Sequence, residues 1–204
     1  MLRQAYGSDD AFILLHVGRL AAEKGVERIL AGFAAAQRAL PEREVRLIIA
    51  GVGPREAALR ADAPEGVSFL GNLDRGSMLP TLYASADAFL FSSHTETLGL
   101  VILEAMASGL PVIAAPAGGV ADHLRDDVNG IAYPPGDISA MARAILALVR
   151  SPALVRRLGA GARRTAEGMS WELELDRLHA SYREVCECSD APRAGHEERR
   201  TALA

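Results

Sequence analysis

Ser92 to Ala115 reads Ser-Ser-His-Thr-Glu-Thr-Leu-Gly-Leu-Val-Ile-Leu-Glu-Ala-Met-Ala-Ser-Gly-Leu-Pro-Val-Ile-Ala-Ala, and an apolar run from Asp87 to Phe91 leads into it. The order is an apolar strand, a polar loop, a helix opening near Thr97 or Leu98, and a second apolar strand from Val112. Gly109 and Pro111 stop the helix. Strand, loop, helix and strand in this order predict a βαβ unit with a right-handed crossover. Glu96 falls in the loop and Glu104 inside the helix, with seven residues between them. Gly99 falls in the expected first turn, where a side chain would block approach to the free N–H groups.

Such an entrance suits an anion. The first N–H groups of a helix have no partner within it, and the dipole favours negative charge there. The two carboxylates suit sugar or ribose hydroxyls, from which they accept hydrogen bonds. They would also repel a phosphate, so cations must come from elsewhere in the chain. Taken singly, Glu96 is equally readable as a loop charge and Glu104 as a solvated helix residue, because acids are mostly exposed. The constellation with Gly99 and the Gly-Leu-Pro-Val exit is harder to explain that way.

The run from Glu96 to Val112 resembles the two-glutamate motif of retaining GT-B glycosyltransferases of the GT4 type, which transfer a sugar from a nucleotide sugar. Gly18-Arg19-Leu20-x-x-Glu23-Lys24-Gly25 resembles the first donor-site loop of the same family. By that resemblance Arg19 and Lys24 hold the donor diphosphate, and Gly18 is a substrate-binding residue of the same loop. Glu104 takes the ribose hydroxyls. Glu96 takes hydroxyls of the transferred sugar and supports the developing oxocarbenium charge, which makes it the catalytic candidate. Charge chemistry agrees, since fixed cations stabilise a departing nucleoside diphosphate. Arg offers two-point contact with phosphate oxygens and Lys a point charge. Read alone, both are also ordinary surface cations.

Thr97 lies in the same loop, and the N–H groups of Leu98, Gly99 and Leu100 are expected to complete the phosphate cradle. Asn72 and Leu73, at the exit of the third strand, are placed to flank the nucleobase. Gly118, with Gly119, is expected to let backbone approach the donor sugar. Gly51-Val-Gly53-Pro54 reads as a tight strand-to-helix turn. His94 either points into the site or is solvated, His16 reads as a satisfied core residue, and His123 has no distinguishing context. No metal and no cofactor is implied.

The remaining pattern is alternating. Phe12–Val17, Val45–Ala50, Val67–Leu70, Ala88–Phe91 and Val112–Ala114 read as strands, and a short sixth is expected after Asn129-Gly130. Val26, Ile29, Leu30, Phe33, Ala36 and Leu40 recur at helical spacing before Pro41. Further helices are expected near residues 55–61, 78–84 and 120–124. Asp137 is placed as the N-cap of Ile138–Val149, and Ser151 as the N-cap ahead of Pro152. A last helix runs from Trp171 to about Val185. Strands alternating with helices specify an α/β, Rossmann-like domain with a parallel sheet of about six strands. Its ligand site belongs beyond the carboxyl ends of the strands.

The chain has 204 residues, half of them apolar, which suffices for one substantial core. A net charge of −4 and the lack of any basic run argue against a nucleic-acid partner. No stretch reaches bilayer-spanning length, so no transmembrane segment is expected. Met1 to Asp10 lacks a secretory apolar core, and a soluble, cytoplasmic protein is the simplest reading. Cys186 and Cys188 read as free thiols.

The resemblance covers residues from about 3 to 186 and matches only the C-terminal, donor-binding half of a GT-B fold. Residues 1–10 are expected as the interdomain linker, 11–186 as the nucleotide-sugar-binding domain, and 187–204 as a flexible tail. The last helix resembles the one that packs toward the partner domain. The resemblance therefore implies a UDP- or GDP-hexose donor, a missing N-terminal acceptor-binding domain, and an isolated chain that transfers little. Two other readings stay open: a non-catalytic nucleotide-binding or interaction module, and a GT-B-like epimerase or phosphorylase.

Overall fold

The computed structural model describes residues 5–189. They divide into two units, one ending at Glu167 and one beginning at Gly168. The first unit alternates strand and helix throughout. Its strands are β1 (Phe12–Val17), β2 (Val45–Ala50), β3 (Val67–Gly71), β4 (Ala88–Phe91), β5 (Val112–Ala114) and β6 (Gly130–Ala132). Its helices are α1 (Val26–Arg38), α2 (Glu56–Ala61), α3 (Met78–Ser85), α4 (Leu100–Ala107), α5 (Val120–His123), α6 (Ile138–Arg150) and α7 (Pro152–Glu167), with a 3-10 turn at Ala22–Lys24. The second unit is the helix α8 (Trp171–Ser189).

The six strands are parallel, in the order β3-β2-β1-β4-β5-β6. The order reverses between β1 and β4, and an open doubly wound sheet has its crevice at that reversal. A strand buried on both faces sends alternate side chains into different layers, and β1 does so. Phe12 and Leu14 join Phe33, Leu47, Met141 and Ile145 on the side of α1 and α6. Ile13, Leu15 and Val17 join Tyr83, Phe89, Ile102 and Met106 on the side of α3 and α4.

The expected caps form. The Asp137 carboxylate accepts from Ala140 N–H at 2.8 Å, and Ser151 Oγ accepts from Leu154 N–H at 3.2 Å. Of the boundaries that differ from expectation, two change the reading of the site and the tail. The central helix opens at Leu100, not Thr97 or Leu98, because Gly99 takes φ +66° and caps it from a left-handed conformation. That conformation, rather than open space in the first turn, is what requires glycine there. The last helix runs to Ser189, so residues 187–189 of the expected tail are helical. Residues 190–204, like Leu2 and Arg3 of the expected linker, lie outside the described residues. On α8 itself Trp171, Leu175, Leu178, Tyr182 and Val185 are exposed. Among the described residues no single helix is long and apolar enough to cross a membrane.

Helix α7 carries two buried glycines at points of backbone contact. A Cβ on Gly159 would lie 2.4 Å from Gly109 O, and one on Gly161 would lie 1.9 Å from Val128 O. Ala in a helix interior ordinarily gains about 1 kcal/mol over Gly. Here the collision outweighs that gain. Gly159→Ala and Gly161→Ala are therefore expected to lower the urea midpoint of unfolding. A raised midpoint would contradict this packing.

Candidate functional site

A cleft of about 630 Å³ opens at the carboxyl ends of β1, β2, β3 and β4. Its wall is assembled loop by loop. Gly18, Arg19 and Lys24 come from the loop after β1, and Gly51 and Val52 from the loop after β2. Asn72, Leu73 and Arg75 follow β3. Glu96, Thr97, Leu98, Gly99 and Leu100 follow β4. Val17, Leu79, Phe91 and Val101 give it an apolar floor and side. The cleft thus straddles the crevice between β1 and β4.

Side-chain-free backbone lets these loops meet. A Cβ on Gly51 would lie 1.9 Å from Gly18 O, and one on Gly53 would lie 2.3 Å from Leu20 O. Leu20 N–H donates to Val52 O and Arg55 N–H to Leu20 O. The segment expected as a plain turn therefore also holds the first loop in place. Gly118 and Gly119 act alike on the other side. Their Cβ positions would lie 2.4 Å from Glu96 O and 2.1 Å from Thr97 O, and Gly119 N–H donates to Glu96 O at 2.8 Å. Gly118 does not line the cleft. Its bare side faces the backbone of Glu96.

Hydroxyls and one guanidinium stitch the β1 and β4 loops together. Ser92 is fully buried, with Oγ 2.6 Å from Gly25 O and 2.9 Å from Lys24 O. Arg28 donates to Ser92 O at 2.9 Å. Across this seam the Lys24 ammonium bonds the Glu96 carboxylate, with only 21% and 14% of the two side chains exposed. Poor solvation makes removal of one partner alone costlier than at an exposed pair. Arg19 reaches Glu23 within its own loop and is 64% exposed. Its pairing is the weak, solvent-screened kind.

The N-terminus of α4 points into the same space. Ile102 N–H donates to Gly99 O at 2.8 Å. Among the described residues the N–H groups of Gly99, Leu100 and Val101 donate to no backbone carbonyl. With the later helix start, Val101 joins the expected cradle. Leu98 lies ahead of the helix, and its carbonyl is held by His123 Nε2 at 2.9 Å.

Glu104 is held by two side chains from other elements. It does not line the cleft. Tyr83 OH donates to its Oε2 at 2.9 Å, and the Arg75 guanidinium bonds its Oε1. Burial, and then the Glu104 charge, push the Tyr83 hydroxyl well above its ordinary pKa, so it stays a donor. Arg75, Tyr83, Arg28 and His123 were not singled out in the sequence as site residues. Their roles depend on contacts 21 or more residues away along the chain. His94 is half-buried and does not line the cleft. Its pKa is lowered by burial and then by the Arg28 charge.

Residues 11–151 match the family described as Glycosyl transferases group 1. The chain belongs to that family. The two-glutamate resemblance read from Glu96 to Val112 is thereby borne out. A GDP-mannose-dependent alpha-mannosyltransferase of Mycobacterium tuberculosis is 38% identical over 186 residues, which cover 91% of this chain and 46% of that protein. D-inositol 3-phosphate glycosyltransferase 1 of Catenulispora acidiphila is 34% identical over 189 residues, covering 87% and 45%. HepE of Anabaena, solved with UDP-glucose, superimposes with a TM-score of 0.75 at 27% identity, covering 90% and 51%. The group 1 chain spans about half the length of these relatives. A C-terminal domain of a group 1 family protein from Francisella tularensis matches over 84% of its own length, with a TM-score of 0.67. At 23% identity that likeness concerns the fold alone.

His16 gives a test of how dry the floor beneath these loops is. Its Nδ1 faces Leu90 O at 3.0 Å and so carries the proton, while Nε2 is buried without a partner. Burial lowers its pKa from 6.5 to about 4. The unfolded chain takes up the proton near pH 6.5 and the folded chain only near pH 4. His16 therefore contributes full stability above about pH 6.5, and this is lost as the pH falls to 4. The window corresponds to roughly 3 kcal/mol. Ring resonances followed by NMR are expected to show His16 neutral down to pH 5. A midpoint above pH 6 would contradict its burial.

Proposed function

We propose that the chain is the donor-binding half of a retaining glycosyltransferase that moves a hexose from UDP- or GDP-sugar to an acceptor. One observation carries the reading: the cations Arg19, Lys24 and Arg75, the free N–H groups of α4 and the Glu96 carboxylate share one cleft at the sheet's switch point. The relatives named above are described as glycosyltransferases, one of them GDP-mannose-dependent, and HepE was solved with UDP-glucose.

In this reading Arg19, Lys24 and the N-terminus of α4 hold the diphosphate. As the glycosidic bond breaks, negative charge builds on the departing nucleoside diphosphate, and these fixed positive groups stabilise it. Glu96 accepts from hydroxyls of the transferred sugar and lies beside the developing positive charge. Its bond to Lys24 keeps it oriented until phosphate and hydroxyl take the two ends of the pair. Asn72 and Leu73 flank the base, with Val17, Val52 and Leu79 as apolar surface beside them. Glu104 receives the ribose hydroxyls. In this reading the acceptor site and the rest of the catalytic centre lie in a second, acceptor-binding half, corresponding to the part of the longer relatives that these 204 residues do not span.

Calorimetric titration with UDP, GDP and ADP tests the assignment. Arg19→Ala is expected to weaken nucleoside diphosphate binding about tenfold, the scale of a charge-assisted hydrogen bond. Binding of the uncharged nucleoside should not change. Binding of none of the three, or an equal effect on nucleoside and diphosphate, would refute it. The 204-residue chain by itself is expected to bind without transferring sugar. Turnover at an ordinary enzymatic rate would contradict the two-half reading.

A further inference from the structure

We propose that Arg75 is a latch on the ribose side of the cleft: its guanidinium competes with the ligand's vicinal hydroxyls for Glu104 and so sets nucleotide affinity. This rests on the reading of Glu104 as the ribose acceptor.

Three observations carry it. First, Arg75 lines the cleft and Glu104 does not, although the two are bonded. Of the bonded pair, it is thus the guanidinium that borders the cleft. Second, the two oxygens of Glu104 are held unequally. Oε2 accepts from Tyr83 OH at 2.9 Å, and Tyr83 is buried. Oε1 is held by a side chain that is 71% exposed. The carboxylate is therefore fixed at one oxygen and exchangeable at the other. Third, the neighbouring acid in the loop is already engaged. Asp74 accepts from Ser77 N–H at 2.7 Å and from Ser77 Oγ at 2.8 Å, and these bonds hold its carboxyl below the usual range. Arg75 ion-pairs with Glu104 and not with Asp74.

An exposed ion pair is worth only a few-fold in an equilibrium constant. That is weak enough for two hydroxyls to displace it, since one carboxylate oxygen has lone pairs for both. Apparent affinity falls by the fraction of time Glu104 is covered. A ligand that does not need Glu104 is indifferent to the latch.

The test is calorimetry of the 204-residue chain and Arg75→Ala with UDP, GDP and their 2′,3′-dideoxy analogues. Arg75 is exposed, so the variant is expected to fold. Arg75→Ala should bind the ribose-containing nucleotide about two- to five-fold more tightly and the dideoxy form unchanged. Weaker binding of both forms would make Arg75 a phosphate contact and overturn the latch. Unchanged binding of the ribose form would make the pair a surface contact and overturn it equally. If the unsubstituted chain does not discriminate ribose from dideoxyribose, the assignment of Glu104 fails, and the latch with it.

Discussion

Lys24 and Glu96 stand 72 residues apart in sequence and bond across the crevice where the sheet changes direction. Everything proposed for the cleft depends on those two loops being held together. Apart from the 3-10 turn at Ala22–Lys24, neither loop is regular structure. Each is positioned by groups whose use is contact at close range: buried Ser92 against the carbonyls of Lys24 and Gly25, Arg28 against Ser92 O, Gly51 against Gly18, and Gly119 against Glu96. The strands beneath supply the rigid edge. Bare backbone supplies the close approach that any Cβ would prevent.

Much of the architecture was legible in the residue order. Apolar runs such as Phe12–Val17 fit strands covered on both faces, and the helical spacing from Val26 to Leu40 fits one helix. Caps at Asp137 and Ser151 act through their immediate neighbours, so sequence suffices to place them. The start of α4 was harder. Gly99 is compatible with a first helical turn and with a left-handed cap, and only the path of the whole loop decides between them.

The site divided along the same line. Arg19, Lys24, Asn72, Leu73 and the stretch from Glu96 to Leu100 sit in motifs at strand exits, and topology brings them together. Glu104 and Gly118 sit in the same motifs, and their protein contacts show only in the fold: Glu104 with Tyr83 and Arg75, Gly118 with the backbone of Glu96. Arg75 and Arg28 carried no signal at all. A lone arginine in a loop or on a helix shows its partner only when the fold closes.

The most direct measurement is an amide-resolved NMR titration of the chain with UDP and GDP. The donor-site reading predicts shifts concentrated at Gly18, Arg19, Asn72, Gly99 and Leu100, with α6 and α7 quiet. Shifts centred on α6 and α7, or on the amino ends of the strands, would contradict it.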